Sequence, residues 1–336
     1  MSRILSATQG ELRLDLNIAP ILNEAAIRRA IEAAGSADLA MYPETEAPQL
    51  RAALSKRLGH PIEGIIVGCG SDEIIDLAMR TLVPRGGRIG VLDPSFSIYS
   101  HTARSCRVMV ENVPTRSELP VAELAGLQAD AYFLPSPNNP TGASFPKTAF
   151  EALLDRVDGP VVIDEAYAEF ARQDLRPLAR AYGNALVLRT FSKAYGLPGV
   201  RIGYGFGSVD LVERLRSIKM PYNTSSFGER AALAALDDPS YVERTVSLIE
   251  EERPQMVAAL GAAGWPVWPS KANFLFLGPL GRSREIWTSL RNQGILVKLV
   301  EWPGGADGAS LRVTIGTREQ NQAFLEALRE ASAWSA

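Results

Sequence analysis

The stretch 185–207, ALVLRTFSKAYGLPGVRIGYGFG, holds two apolar runs, 185–188 and 201–206, separated by a polar segment containing Lys193. Each run has strand length and stops at polar or turn residues, Arg189-Thr190 for the first and Gly207 for the second. Working outward, runs of the same kind stop at Gly68, at Asp93-Pro94, at Pro135 and at Asp164. Helical patterns lie between them: within 71–82, Ile74, Ile75, Ala78, Met79 and Leu82 share one face behind a Ser/Asp start. Short apolar runs alternating with helices predict a mostly parallel sheet covered on both faces. The run ends are read as carboxyl ends of strands, and open α/β sheets bind ligands just outside such ends.

After Gly207 the pattern changes to amphipathic helix over 210–219 and 227–260, interrupted at Asp238-Pro239. Short runs at 265–267, 273–277, 295–299 and 311–315 then alternate with helices, ending in a helical pattern over 320–331. This part reads as a smaller α+β unit. The Gly/Pro-rich segment 302–308 reads as a mobile loop or an ordinary surface turn.

At 336 residues the chain is long enough for about two domains. Its 35 basic and 38 acidic residues leave a net charge of −3 with no basic block, so nucleic-acid binding lacks its electrostatic footprint. No window approaches the roughly 18 unbroken apolar residues of a spanning helix. The two His and two Cys, His60, His101, Cys69 and Cys106, lie apart without metal-ligand spacing, so no metal is expected, and the thiols suit a reduced, cytoplasmic protein. Segment 203–207, GYGFG, has the wrong spacing for a dinucleotide fingerprint, and neither GxxxxGK[ST] nor GxSxG occurs. Any chemistry must come from Lys, Arg, Asp, Tyr and Ser, or from a cofactor.

Lys193 follows a buried strand, where an unpartnered lysine is unusual, and a desolvated lysine near other cations is the amine that forms Schiff bases. Arg201, eight residues later, could hold a phosphate through two parallel hydrogen bonds or simply form a salt bridge. Gly70-Ser71-Asp72 opens a helix, whose free N–H groups and positive dipole end suit an anion.

The segments SPNNPTG (136–142), DEAY (164–167) and TFSKAYGLPGVRIGY (190–204) resemble those of fold-type-I pyridoxal-phosphate aminotransferases, and the chain is similar to their histidinol-phosphate branch. MYPE (41–44), CGSDE (69–73), MPYNTSS (220–226) and LRVTIGTREQN (311–321) follow in the family's order. The resemblance implies a large domain, 41–230, with a mostly parallel seven-stranded sheet, and a small α+β domain made of 1–40 and 231–336. It implies pyridoxal 5′-phosphate as cofactor, Lys193 as the lysine joined to it and the acid/base, and Asp164 as partner of the pyridine nitrogen. Tyr167 and Asn139 would hydrogen-bond the ring's 3-oxygen, and Phe96 would stack on the ring. Gly70, Ser71, Thr190, Ser192 and Arg201 would bind the phosphate; Asp72 would contribute its amide while its side chain caps the helix. Arg312 would clamp the substrate carboxylate, and Tyr42 would reach the neighbouring subunit's cofactor, implying a homodimer.

Two departures concern the substrate. Segment 17–22 reads NIAPIL and lacks the tyrosine usual in the branch, and the usual arginine in the GIxVR segment is here Lys298. The implied reaction is L-histidinol phosphate with 2-oxoglutarate giving imidazole acetol phosphate and L-glutamate. An aromatic aminotransferase and a threonine-phosphate decarboxylase stay open, and a non-catalytic regulator would need a nucleic-acid-binding domain for which there is no spare length. Neither His60 nor His101 is expected to take part.

Overall fold

The computed structural model describes residues 10–34, 40–115, 117–279, 281–301 and 309–333; the expected loop 302–308 lies outside them. Seven strands form the main sheet: β2 (Ile65–Cys69), β3 (Arg88–Asp93), β4 (Met109–Pro114), β5 (Ala131–Pro135), β6 (Val161–Asp164), β7 (Ala185–Thr190) and β8 (Ile202–Phe206), in the order β2-β8-β7-β6-β5-β3-β4. Strands β5 to β8 are buried at every position, as continuous apolar runs covered on both faces should be. One apolar cluster on the sheet includes Phe133, Val162 and Leu186, and another includes Leu134, Ile163 and Val187, so neighbouring residues face opposite layers.

Two details differ from the sequence reading. Strand β4 was not among the expected runs: it is the edge strand beside β3, and its sequence MVENVP is interrupted by Glu111 and Asn112 because one rim meets solvent. Strand β8 runs antiparallel to both β2 and β7. Its carboxyl end, Gly207, is therefore at the far edge, where its N–H donates to the Gly64 carbonyl at 3.0 Å. Its amino end brings Arg201 beside Gly70 and Thr190.

A second core surrounds a three-stranded antiparallel sheet, in the order β11 (Lys298–Val300), β12 (Ser310–Thr314) and β9 (Phe274–Leu277). The short β1 (Leu12–Arg13) pairs in parallel with β10 (Ile295–Leu296). The described residues 10–34 thus divide: Leu14 belongs to this second core, whereas Ala26 and Ala30 of helix Glu24–Ala33 share the main sheet's cluster with Ala231 and Ala235. No helix among the described residues is long and apolar enough to cross a membrane.

Candidate active site

A cavity of about 720 Å³ lies outside the site-facing ends of the main sheet, walled on the other side by β11 and β12. Gly70, Ser71, Asp72, Phe96, Asn139, Asp164, Tyr167, Thr190, Ser192, Lys193, Arg201, Lys298 and Arg312 all line it. Of the residues singled out from sequence, Tyr42 alone does not; it is 81% exposed and stacks on Tyr222 with ring centroids 4.7 Å apart.

At one end, β2 turns into helix Gly70–Leu82, whose first N–H groups have no helical acceptor. Gly70 has φ +75°, and a Cβ there would lie 2.5 Å from Arg201 Nη2. A Cβ on Gly203 would lie 2.2 Å from Ser71 N, so only glycine lets β8 pass this close beneath the helix start. Arg201 Nη1 is 3.5 Å from Ser192 Oγ, and the Ser192 N–H donates to Thr190 Oγ1 at 3.1 Å. One expectation is corrected: the Asp72 side chain does not cap the helix but pairs with Arg201 Nη2 at 3.2 Å. Glu73, one position further into the helix, takes the cap instead: its Oε2 accepts the Cys69 N–H at 2.5 Å, while Asp72 is drawn aside by the Arg201 charge.

In the middle, Asp164 at the end of β6 is 4% exposed. Its Oδ2 accepts the Tyr99 hydroxyl at 2.8 Å and its Oδ1 accepts the Ala166 N–H at 3.1 Å. Burial pushes the carboxyl up to about 6, against the pull of those two donors and of Lys193. Tyr99, fully buried, is held well above its ordinary value by burial first and by Asp164 next. The neighbouring Glu165 faces away and takes Arg189 at 2.9 Å and the Leu175 N–H at 2.8 Å, tying the strand ends together. Lys193 Nζ donates to the Leu16 carbonyl at 3.0 Å and stands 5.6 Å from the Tyr167 ring centroid. The Tyr167 hydroxyl oxygen accepts Asn17 Nδ2 at 3.0 Å.

At the third side, Arg312 is 8% exposed and its charge is disfavoured by burial. Nη1 donates to Asn139 Oδ1 at 2.5 Å and Nη2 to the Asp15 carbonyl at 2.6 Å, while buried Nε has no partner. Accepting Arg312 at its oxygen leaves the Asn139 amide NH₂ to donate elsewhere. Lys298 stands directly opposite Arg312 in the β11–β12 register.

Tyr99, Asn17, Asp15 and Leu16 were missed from sequence. Tyr99 lies three residues after Phe96, about one helical turn along, where a tyrosine on the buried face of a helix reads as core. Asp15 and Leu16 contribute through their backbone carbonyls, which leave no sequence trace.

The groups suit a flat, phosphate-bearing aldehyde. An amine, an anion cradle of N–H and hydroxyl groups with an arginine, an aromatic wall and a buried carboxylate with neutral hydrogen-bond donors but no paired cation surround one space. The cradle fits closely enough that methyl groups at two of its glycines would clash. The fold and this site define a pyridoxal-phosphate-dependent enzyme of fold type I.

Residues 7–328 match the family model described as aminotransferase class I and II. The histidinol-phosphate aminotransferase of Roseiflexus castenholzii is 41% identical over 307 residues, 87% of this chain and 81% of that one. That of Symbiobacterium thermophilum is 38% identical over 90% of this chain and 86% of its own. The Sinorhizobium meliloti histidinol-phosphate aminotransferase in complex with pyridoxal-5′-phosphate has a TM-score of 0.90 at 24% identity, covering 97% of this chain and 92% of that one, a likeness of fold. The chain belongs to the class I and II aminotransferase family, on its histidinol-phosphate branch, and its cofactor is pyridoxal 5′-phosphate.

Proposed function

We propose that this aminotransferase exchanges an amino group between L-histidinol phosphate and 2-oxoglutarate, giving imidazole acetol phosphate and L-glutamate. The observation that carries the reading is Arg312, buried with an unpartnered Nε and faced across the strand pair by Lys298. Two cations converging on one cavity wall suit substrates that each carry a strong anion, a phosphate on one and carboxylates on the other. The relatives' names supply the rest of the support.

When bound, the cofactor supplies an aldehyde and a ring able to hold the electron pair left when the Cα–H bond breaks. Lys193 would hold the cofactor through its amine and would serve as the base that carries the proton from Cα. Asp164 holds a proton on the ring nitrogen, and a cation there relieves the desolvation that raises the carboxyl. Tyr167 and Asn139 donate to the 3-oxygen, and Phe96 packs against the ring. Gly70, Ser71, the Asp72 amide, Thr190, Ser192 and Arg201 hold the phosphate, which competes with the Asp72 carboxylate for Arg201. Lys298 takes the phosphate of the amino donor in place of an arginine.

The same reading covers assembly. Two domains form around the two cores, the large one 41–230 joined by helix Glu24–Ala33 and the small one built from 231–336 and the residues around β1. Met41, Tyr42, Met220 and Tyr222 make an exposed apolar patch, which supports a homodimer in which Tyr42 completes the partner's site. Two free thiols support a cytoplasmic location.

The test is a substrate panel followed by absorbance. The protein should be yellow, lose its visible band with borohydride or in Lys193→Ala, and convert with histidinol phosphate and then recover with 2-oxoglutarate. Conversion only with Phe or Tyr would replace the substrate assignment, and carbon dioxide release would replace the reaction.

A further inference from the structure

Three consecutive residues each touch a different group of the site. The Asp15 carbonyl accepts Arg312 at 2.6 Å, the Leu16 carbonyl accepts Lys193 at 3.0 Å, and the Asn17 amide donates to Tyr167 at 3.0 Å. We propose that Asn17 is a positioning residue that fixes the direction in which the Tyr167 hydroxyl donates, and that residues 15–17 form the strap holding it there.

The argument is one of donors and acceptors. Asn17 is 1% exposed, and its φ of +54° is a conformation that asparagine tolerates better than most residues. Its backbone N–H donates to Thr314 Oγ1 at 3.0 Å, its carbonyl accepts Asn273 Nδ2 at 3.1 Å, and its Oδ1 accepts the Thr314 hydroxyl at 3.2 Å. These bonds settle which way the amide faces. Thr314 Oγ1 already accepts a proton from the Asn17 backbone, so its own proton is left to donate, and it meets the amide oxygen. The NH₂ group is thereby turned to Tyr167.

A phenol oxygen that accepts from an amide cannot give its proton back along that line. The Tyr167 proton is directed elsewhere, and donation into its oxygen strengthens it as a donor. Thr314 is two residues from Arg312 on β12, so the strand bearing the anion clamp also holds the residue that orients Tyr167. This inference rests on the proposed role of Tyr167 toward the cofactor's 3-oxygen.

Two variants separate orientation from simple support. Asn17→Asp keeps shape and backbone preference but replaces a donor with an acceptor, so the Tyr167 proton turns back to residue 17. Asn17→Gly keeps the backbone conformation and removes the side chain. With pyridoxal phosphate bound, the visible band is titrated with pH. A hydrogen bond donated to the 3-oxygen favours the deprotonated form of the chromophore. Its loss should therefore move the midpoint up, by about one unit in Asn17→Asp, where the added negative charge acts in the same direction, and by less in Asn17→Gly. Lys193, Arg312 and Tyr99 are the other titratable or charged groups that act on Tyr167, and both variants leave them in place. Thermal unfolding without cofactor is measured alongside. Midpoints equal to wild type in both variants, at any stability, would overturn the proposal. A wild-type protein with no visible band would overturn it together with the cofactor-site reading, and is told apart because the variants are then never compared.

Discussion

Replacing Tyr99 with Phe removes one hydroxyl and leaves the ring, so the packing against Phe96 and Phe133 is kept. The hydroxyl is one of two neutral donors on buried Asp164, whose carboxyl stands at about 6 against an ordinary 3.8. That difference of about 2.2 units means that keeping the carboxylate charged in the cofactor-free protein costs about 3 kcal/mol. A hydrogen bond to a charged acceptor contributes roughly 1.5–3 kcal/mol, so its loss should lift Asp164 a further one to two units, to about 7–8. The folded value lies above the unfolded one. Stability associated with this group is therefore present at low pH and lost as pH rises through about 6 in wild type, and the loss continues to higher pH in the variant. Urea unfolding of the cofactor-free proteins should show Tyr99→Phe less stable by about 1.5–3 kcal/mol at pH 8.5 but by about 1 kcal/mol or less at pH 5, where the carboxyl is protonated in both. Equal losses at the two pH values, or a larger loss at pH 5, would refute the coupling of Tyr99 to the ionised carboxylate.

Other expectations follow from the same geometry. Arg312→Lys keeps the charge but loses the fork, and should raise KM for both amino donor and 2-oxoglutarate about 10- to 100-fold in steady-state kinetics; an effect on one substrate alone would contradict a shared clamp. Gly203→Ala pushes a methyl group into Ser71 N, and overpacking of about 1–3 kcal/mol should weaken pyridoxal-phosphate affinity about tenfold in a fluorescence titration. His60 is buried, with Nε2 3.0 Å from the Gly207 carbonyl, and burial lowers its value below the ordinary one. Its stabilising contribution is present above the unfolded value of about 6.5 and is lost as pH falls below it, so His60→Gln should unfold less steeply with acid while keeping the visible band.

The alternating runs exposed the main sheet because strands buried on both faces leave unbroken apolar stretches in the sequence. Edge strand β4 was hidden by the polar residues that its solvent-facing rim carries. Lys193, Asp164 and Arg201 stood out through the motifs that resemble the family's; taken singly, a lysine after a strand reads as a surface residue and Arg201 as half of a salt bridge, which it also forms with Asp72. Tyr99 and Asn17 did not stand out: a tyrosine on an amphipathic helix face reads as core, and an asparagine before a proline-containing turn reads as a turn residue. The Asp72 correction has a similar origin, since the sequence shows its place near a helix start but not that Arg201, 129 residues away, would be its partner.

The bond between Asn17 and Thr314 joins residues 297 positions apart. A chain emerging from the ribosome can assemble the phosphate cradle once β8 is complete, because every cradle residue lies before position 206. The anion clamp must wait for β12, and until then the strap at residues 15–17 lacks its bonds to Arg312 and Thr314. Synthesis order thus completes the residues of the phosphate cradle more than a hundred positions before those of the anion clamp.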